Sequence, residues 1–150
     1  MASLTRKQIR DDAVARLLAY GAIASAVGTR VYPSRTIPLG DANIPALCVY
    51  TSSESSAYRG PGTYNPVFER RLEIGVNAYV TAVTDALLEN QTDISDTIQR
   101  ALIADPNWIA LFERVESVDV SIIPDADSDR RRCVVRVVFT VRYHFDHNEA

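Results

Sequence analysis

Lysine is almost absent from this chain. Of sixteen cationic side chains fifteen are arginine, and Lys7 stands alone. Cysteine and histidine occur twice each, and tryptophan once. Two cysteines cannot build a disulfide framework, and Cys48 and Cys133 spell no Cys-x-x-Cys motif. Each sits in an apolar strand pattern, which predicts two buried thiols in a reducing compartment. His144 and His147 supply too few ligands for a rigid metal site, which needs at least three, so no metal is expected. No apolar run approaches the ~20 residues of a membrane span. The segment "MASLTRKQIRDD" lacks the apolar core of a signal peptide, so a cytosolic protein is expected, with no membrane partner. The net charge of −3 shows none of the basic bias of a duplex nucleic-acid binder. Arginine without lysine suits a protein interface, although genomic base composition produces the same bias.

Catalytic patterns are scarce as well. No G-x-S-x-G, phosphate loop or H-E-x-x-H occurs. Asp125, Asp127 and Asp129 open like a calcium loop, but Arg130 and Arg136 stand where that loop needs Gly and Glu. A polar hairpin turn is the better reading. The chain therefore reads as a non-enzyme with no cofactor.

What is present is a strong period. At 150 residues the chain is most simply one domain, residues 1–150. Thr5-x-x-Gln8 matches a capping box, and Ile9, Ala13, Val14, Leu17 and Leu18 mark one helical face over 6–20, with Gly21 as its stop. "AIASAV" adds a short turn. Val31 and Tyr32 form a short edge strand ended by Pro33, and residues 46–52 form another. Residues 67–80 alternate, with Phe68, Leu72, Ile74, Val76, Ala78 and Val80 against Glu69, Arg71, Glu73, Asn77 and Tyr79. A second helix opens at Thr84 and ends at Asp105-Pro106, with Leu87, Ile94, Ile98, Ala101 and Leu102 on one face. "NWIALF" is a short turn or helix that plugs Trp108 into the core. "RVESVDVSII" is a strand ended by Pro124. The last strand sets Cys133, Val135, Val137, Phe139, Val141, Tyr143 and Phe145 against Val134, Arg136, Val138, Thr140, Arg142 and His144. This order predicts an α+β fold, a mainly antiparallel sheet of four to five strands with two main helices packed on one face.

Between the strands lies "TSSESSAYRGPGTYNP", residues 51–66. Strand connections in compact domains take about 2–5 residues, and these sixteen read as a long loop. Tyr58, Arg59 and Tyr64 suit an interface, and the Gly and Ser residues supply adaptability. The polar sheet face, with Arg71, Glu73, Arg136 and Arg142, is a second candidate contact.

The stretch "IPALCVYTSSESSAY" resembles a segment of lambda-like phage tail terminators, the minor tail protein U family. There a proline-led strand of the type P-A-x-x-V-Y runs into a polar loop ending in tyrosine. Here those positions are Pro45, Ala46, Val49 and Tyr50, then Tyr58. The following features keep the family's order: "RRLEIGVNAYV", "TDALLEN", "ALIADPNWIALF", "DADSDRRR" and "VVFTVRYHF". Residues 21–45 are longer and richer in proline than the family pattern. The resemblance implies a structural assembly protein of the virion. It would form a homohexameric ring on the end of the tail tube, stop tube growth and offer a face to a head-side connector or head-completion protein. It also implies assembly in the host cytoplasm, with DNA as a partner only as it passes through the ring, and long loops near the strand ends that contribute to assembly. A head-closure or connector-joining neck protein, or a non-catalytic binding module using the open sheet face, remains open as an alternative.

Overall fold

The computed structural model describes residues 5–33, 45–58, 67–82, 93–125 and 131–146. Helix α1, Arg6–Ala19, starts at the expected capping box. The Thr5 backbone N–H donates to Gln8 Oε1 at 2.8 Å, and the Gln8 N–H donates to Thr5 Oγ1 at 3.2 Å. Two otherwise orphaned amides are satisfied. Ile9, Ala13 and Leu17 point into the core. Gly21 does not stop this helix from beyond its end; the chain turns at extended Tyr20, and Gly21 opens α2, Gly21–Val27. The turn that ends α2 needs its glycine, Gly28, which has φ 63°.

Five strands follow from the alternating stretches: β1 (Val31–Pro33), β2 (Ala46–Tyr58), β3 (Val67–Ala82), β4 (Arg114–Asp125) and β5 (Arg131–Asp146). Their order in the sheet is β1-β2-β3-β5-β4. All pairs are antiparallel except β1–β2, which is parallel. The fold is therefore α+β, as the element order predicted. β3 and β5 pair along their whole length, from Val67 opposite Asp146 to Ala82 opposite Arg131. Pro124 lies inside β4 rather than ending it; β4 is an edge strand, where a missing ladder donor is tolerated.

The expected sixteen-residue loop is largely strand. β2 continues through residues 51–58, pairing Ser53 with Glu73 and Tyr58 with Phe68 across a bulge between Thr51 and Ser53. Polarity alone misled the reading. No glycine or proline interrupts residues 46–58, and the apolar alternation of β3 offers a full ladder to a neighbour whose own composition is neutral. Residues 59–66 lie outside the described residues.

The second long helix, α3, is described over Ile94–Ile103, and a short α4 spans Pro106–Ile109. The expected start at Thr84, with Leu87, lies outside the described residues. So does the turn at 126–130. Among the described residues four helices, of which α1 and α3 are the longest, pack on one sheet face. There Leu72, Ile74, Val76, Ala78, Val135, Val137, Phe139 and Val141 meet Ile98, Leu102 and Leu17, all fully buried. Trp108 plugs this core as expected, edge-on to Phe112 at 4.9 Å and to Phe139 at 5.5 Å between ring centroids. Cys48 and Cys133 are free and buried. Their register partners, Asn77 and Val80, belong to opposite faces of β3, so the sheet separates the two thiols.

Candidate assembly surface

The sheet face away from the helices carries the polar half of each strand. Register sets Arg71 of β3 opposite Arg142 of β5, and Arg142 opposite Arg114 of β4. Three like charges in a row across three strands repel. The bulge in β4 between Val115 and Ser117 answers this by inserting Glu116. Its carboxylate accepts from Arg142 Nε, from Arg71 Nε at 3.0 Å, and lies 3.5 Å from Arg114 Nη2. Arg142 Nη1 also donates to Glu69 Oε1 at 2.7 Å.

The titrations follow from these bonds. The Arg142 guanidinium holds both Glu69 and Glu116 below the usual carboxylate range. Glu69 and then Glu116 raise Arg142 in return. Beside them His144 Nε2 lies 2.8 Å from Glu113 Oε2. Donor atoms of Glu69, Glu113 and His144 come within 4.8 Å of one another. A dication entering there would meet the Arg142 charge already bound to Glu69.

Further along the face the chemistry changes. Tyr50 Oη donates to Asn77 Oδ1 at 3.1 Å, and Arg136 Nε donates to the same oxygen at 3.2 Å. Burial pushes the Tyr50 hydroxyl up, and the nearby Arg136 charge opposes that. The Tyr50 ring lies across Gly75, where a Cβ would stand 2.2 Å from Tyr50 Cζ. Only glycine leaves room for this approach.

On the helix-facing side, where sequence reasoning expected a loop, a polar cluster surrounds the buried Tyr143 hydroxyl. Tyr143 is 2% exposed and donates to Glu54 Oε2 at 2.8 Å. Arg70 Nη1 stands 3.5 Å from Glu54 Oε1, and Arg6 Nε 3.8 Å from Glu54 Oε2. Burial pushes the Tyr143 hydroxyl up to about 12.

No protein-family model and no curated protein matches the chain. A solved structure does. It is a chain described as "Virion of native gene transfer agent (GTA) particle", 17% identical, with a TM-score of 0.50 over 93% of this chain and 99% of that one. At that identity the likeness is one of fold.

Of the residues singled out from sequence, Arg71, Glu73, Arg136 and Arg142 share the outer face. Arg71 and Arg142 meet in one ion network. Glu73 instead accepts from Ser52 Oγ at 3.2 Å, and Arg136 sits apart beside Asn77. Tyr58 closes β2, while Arg59 and Tyr64 lie outside the described residues. Glu116 and Glu54 were missed. Glu116 depends on a bulge that alternation cannot reveal, and Glu54 on a strand extension that the lack of glycine and proline could have signalled.

Proposed function

We propose that this chain is a structural virion protein, a tail terminator that forms a homohexameric ring on the end of a tail tube. In that role it stops tube growth and meets the tube protein on one side and a head-side connector or head-completion protein on the other. The observation that carries the reading is the fold likeness to a virion chain, because it runs over nearly the whole of both chains. The resemblance of the order of sequence features to that of tail terminators supports the finer assignment. The open sheet face supplies a physical means: a broad surface rich in arginine and tyrosine, the side chains that dominate interfaces. No cofactor and no catalytic step belongs to this role. Negative-stain images and light scattering test it. Rings of six copies, alone at high concentration or on tube ends, are expected. A stable dimer that never forms rings would refute it.

A further inference from the structure

Among the described residues most charged side chains are paired within the molecule. On the helix layer Asp11 pairs with Arg10, and Asp12 and Asp105 both pair with Arg16. On the outer face Glu69 and Glu116 hold Arg71, Arg114 and Arg142. Two doublets stand apart. Arg136 of β5 and Asp119 of β4 lie diagonally across the β4–β5 pair, since Arg136 faces Ser121 and Asp119 faces Val138. Among the described residues neither joins an ion pair. Arg136 has its Nε taken by Asn77, which orients the guanidinium and leaves its two terminal nitrogens for a carboxylate. The other doublet is Asp96 and Arg100 of α3, four residues apart on one exposed helix face. These two also join no ion pair among the described residues.

The two doublets match. Diagonal neighbours on a sheet lie roughly 7–8 Å apart and i,i+4 neighbours on a helix about 5–6 Å, within reach of long side chains. Each doublet carries one charge of each sign. The apolar surroundings match as well. Ile123, 43% exposed, flanks the sheet doublet, and Ile103, 37% exposed, follows Arg100 on the same face of α3. We infer that the outer face of one subunit docks on α3 of a second copy, with Arg136 bound to Asp96 and Asp119 to Arg100. The two surfaces differ, so the contact is head-to-tail, and such contacts close into rings when the rotation allows. This rests on the ring reading given above and names its subunit contact.

Sedimentation velocity of the full chain over a range of concentrations tests it, with thermal melts as controls. Arg136→Glu is expected to weaken self-association about tenfold or more, the scale of a central interface arginine. Asp96→Arg should do the same from the other side, and the double variant Arg136→Glu/Asp96→Arg should recover assembly. Arg136→Glu/Arg100→Glu, which joins two like-charged changes, should not. Arg136 also bonds Asn77, so if its variants fold poorly, the surface variants Asp96→Arg and Asp119→Arg carry the same test. Assembly unchanged in the single variants, or a double variant that fails to recover, overturns this contact and leaves the ring standing. A wild-type chain that stays monomeric with and without tube ends overturns both.

Discussion

Replacing Tyr143 with Phe isolates the half-buried cluster beside the start of α1. The substitution removes one hydroxyl and keeps the ring in its nearly fully buried site. It deletes the 2.8 Å bond to Glu54, a hydrogen bond to a charged acceptor worth about 1.5–3 kcal/mol. Arg70 and Arg6 still face the carboxylate, so Glu54 is not abandoned and the middle of that range, about 2 kcal/mol, is expected. For a domain of this size that lowers Tm by about 4–8 °C.

The titration of the same group gives an independent check. Its folded value of about 12 lies above the ordinary tyrosine value. A raised value means that the folded chain holds the proton more tightly. The resulting stability is complete below about pH 10 and is lost as pH rises towards the folded value. The loss amounts to about 2 kcal/mol once screening around partly exposed Glu54 is allowed for. Urea melts of wild type and Tyr143→Phe at pH 7 and at pH 11 should therefore differ more at pH 7. Tyr50 is raised too and contributes the same slope to both proteins, so only the difference is read. Equal midpoints at pH 7, or a gap that does not narrow at pH 11, would refute the role given to this hydroxyl.

Gly75→Ala should push the Tyr50 ring off the sheet and break its bond to Asn77, without unfolding the protein; Tyr50→Ala added to it should restore the melting point to that of Tyr50→Ala alone, read by calorimetry. Replacing residues 59–66 with a two-residue turn should leave the circular dichroism spectrum and Tm nearly unchanged, because loop length costs only about 0.6 kcal/mol per doubling. Replacing residues 53–64 should lower Tm sharply, since it removes the β2 residues paired with Phe68 to Glu73.

The layers of the fold were legible because they depend on period. β5 alternates without a break, and its buried set, Cys133 through Tyr143, is the one that alternation names. α1 announces itself by a capping box that forms as written. What escaped depends on departures from period. The two bulges shift register by one residue, which turns Glu54 inward and inserts Glu116 among the outer arginines. Gly21 looked like a stop because glycine ends helices, but extended Tyr20 had already ended α1. Arg142 read as a candidate contact on the polar sheet face, and sequence spacing cannot reveal that Glu69 and Glu116 both reach it.

The strand extension changes how the proposed contact at residues 51–58 must be understood. A sixteen-residue loop would have to be ordered on binding, at a backbone entropy cost of about 1–2 kcal/mol per residue. Here residues 51–58 are ordered by β3 during folding, and that cost is met before any partner arrives. At about 3.4 Å per residue the extension carries Tyr58 about 24 Å along the sheet from Thr51. Ordering in advance favours tight association, and it also ties position to register. The bulge at Ser52 is then the element that aims residues 53–58. A deletion of Ser52, which removes the extra residue, would leave Ser53 opposite Glu73 and Glu54 opposite Leu72 in an unbroken ladder, with residues 53–58 on their present faces. Glu54 would stay beside Tyr143, and what is lost is the bend of the bulge and the Ser52 bond to Glu73. Such a variant should keep a Tm close to wild type in calorimetry yet assemble poorly, because the local bend that aims residues 53–58 is gone; a sharp loss of Tm would refute this register.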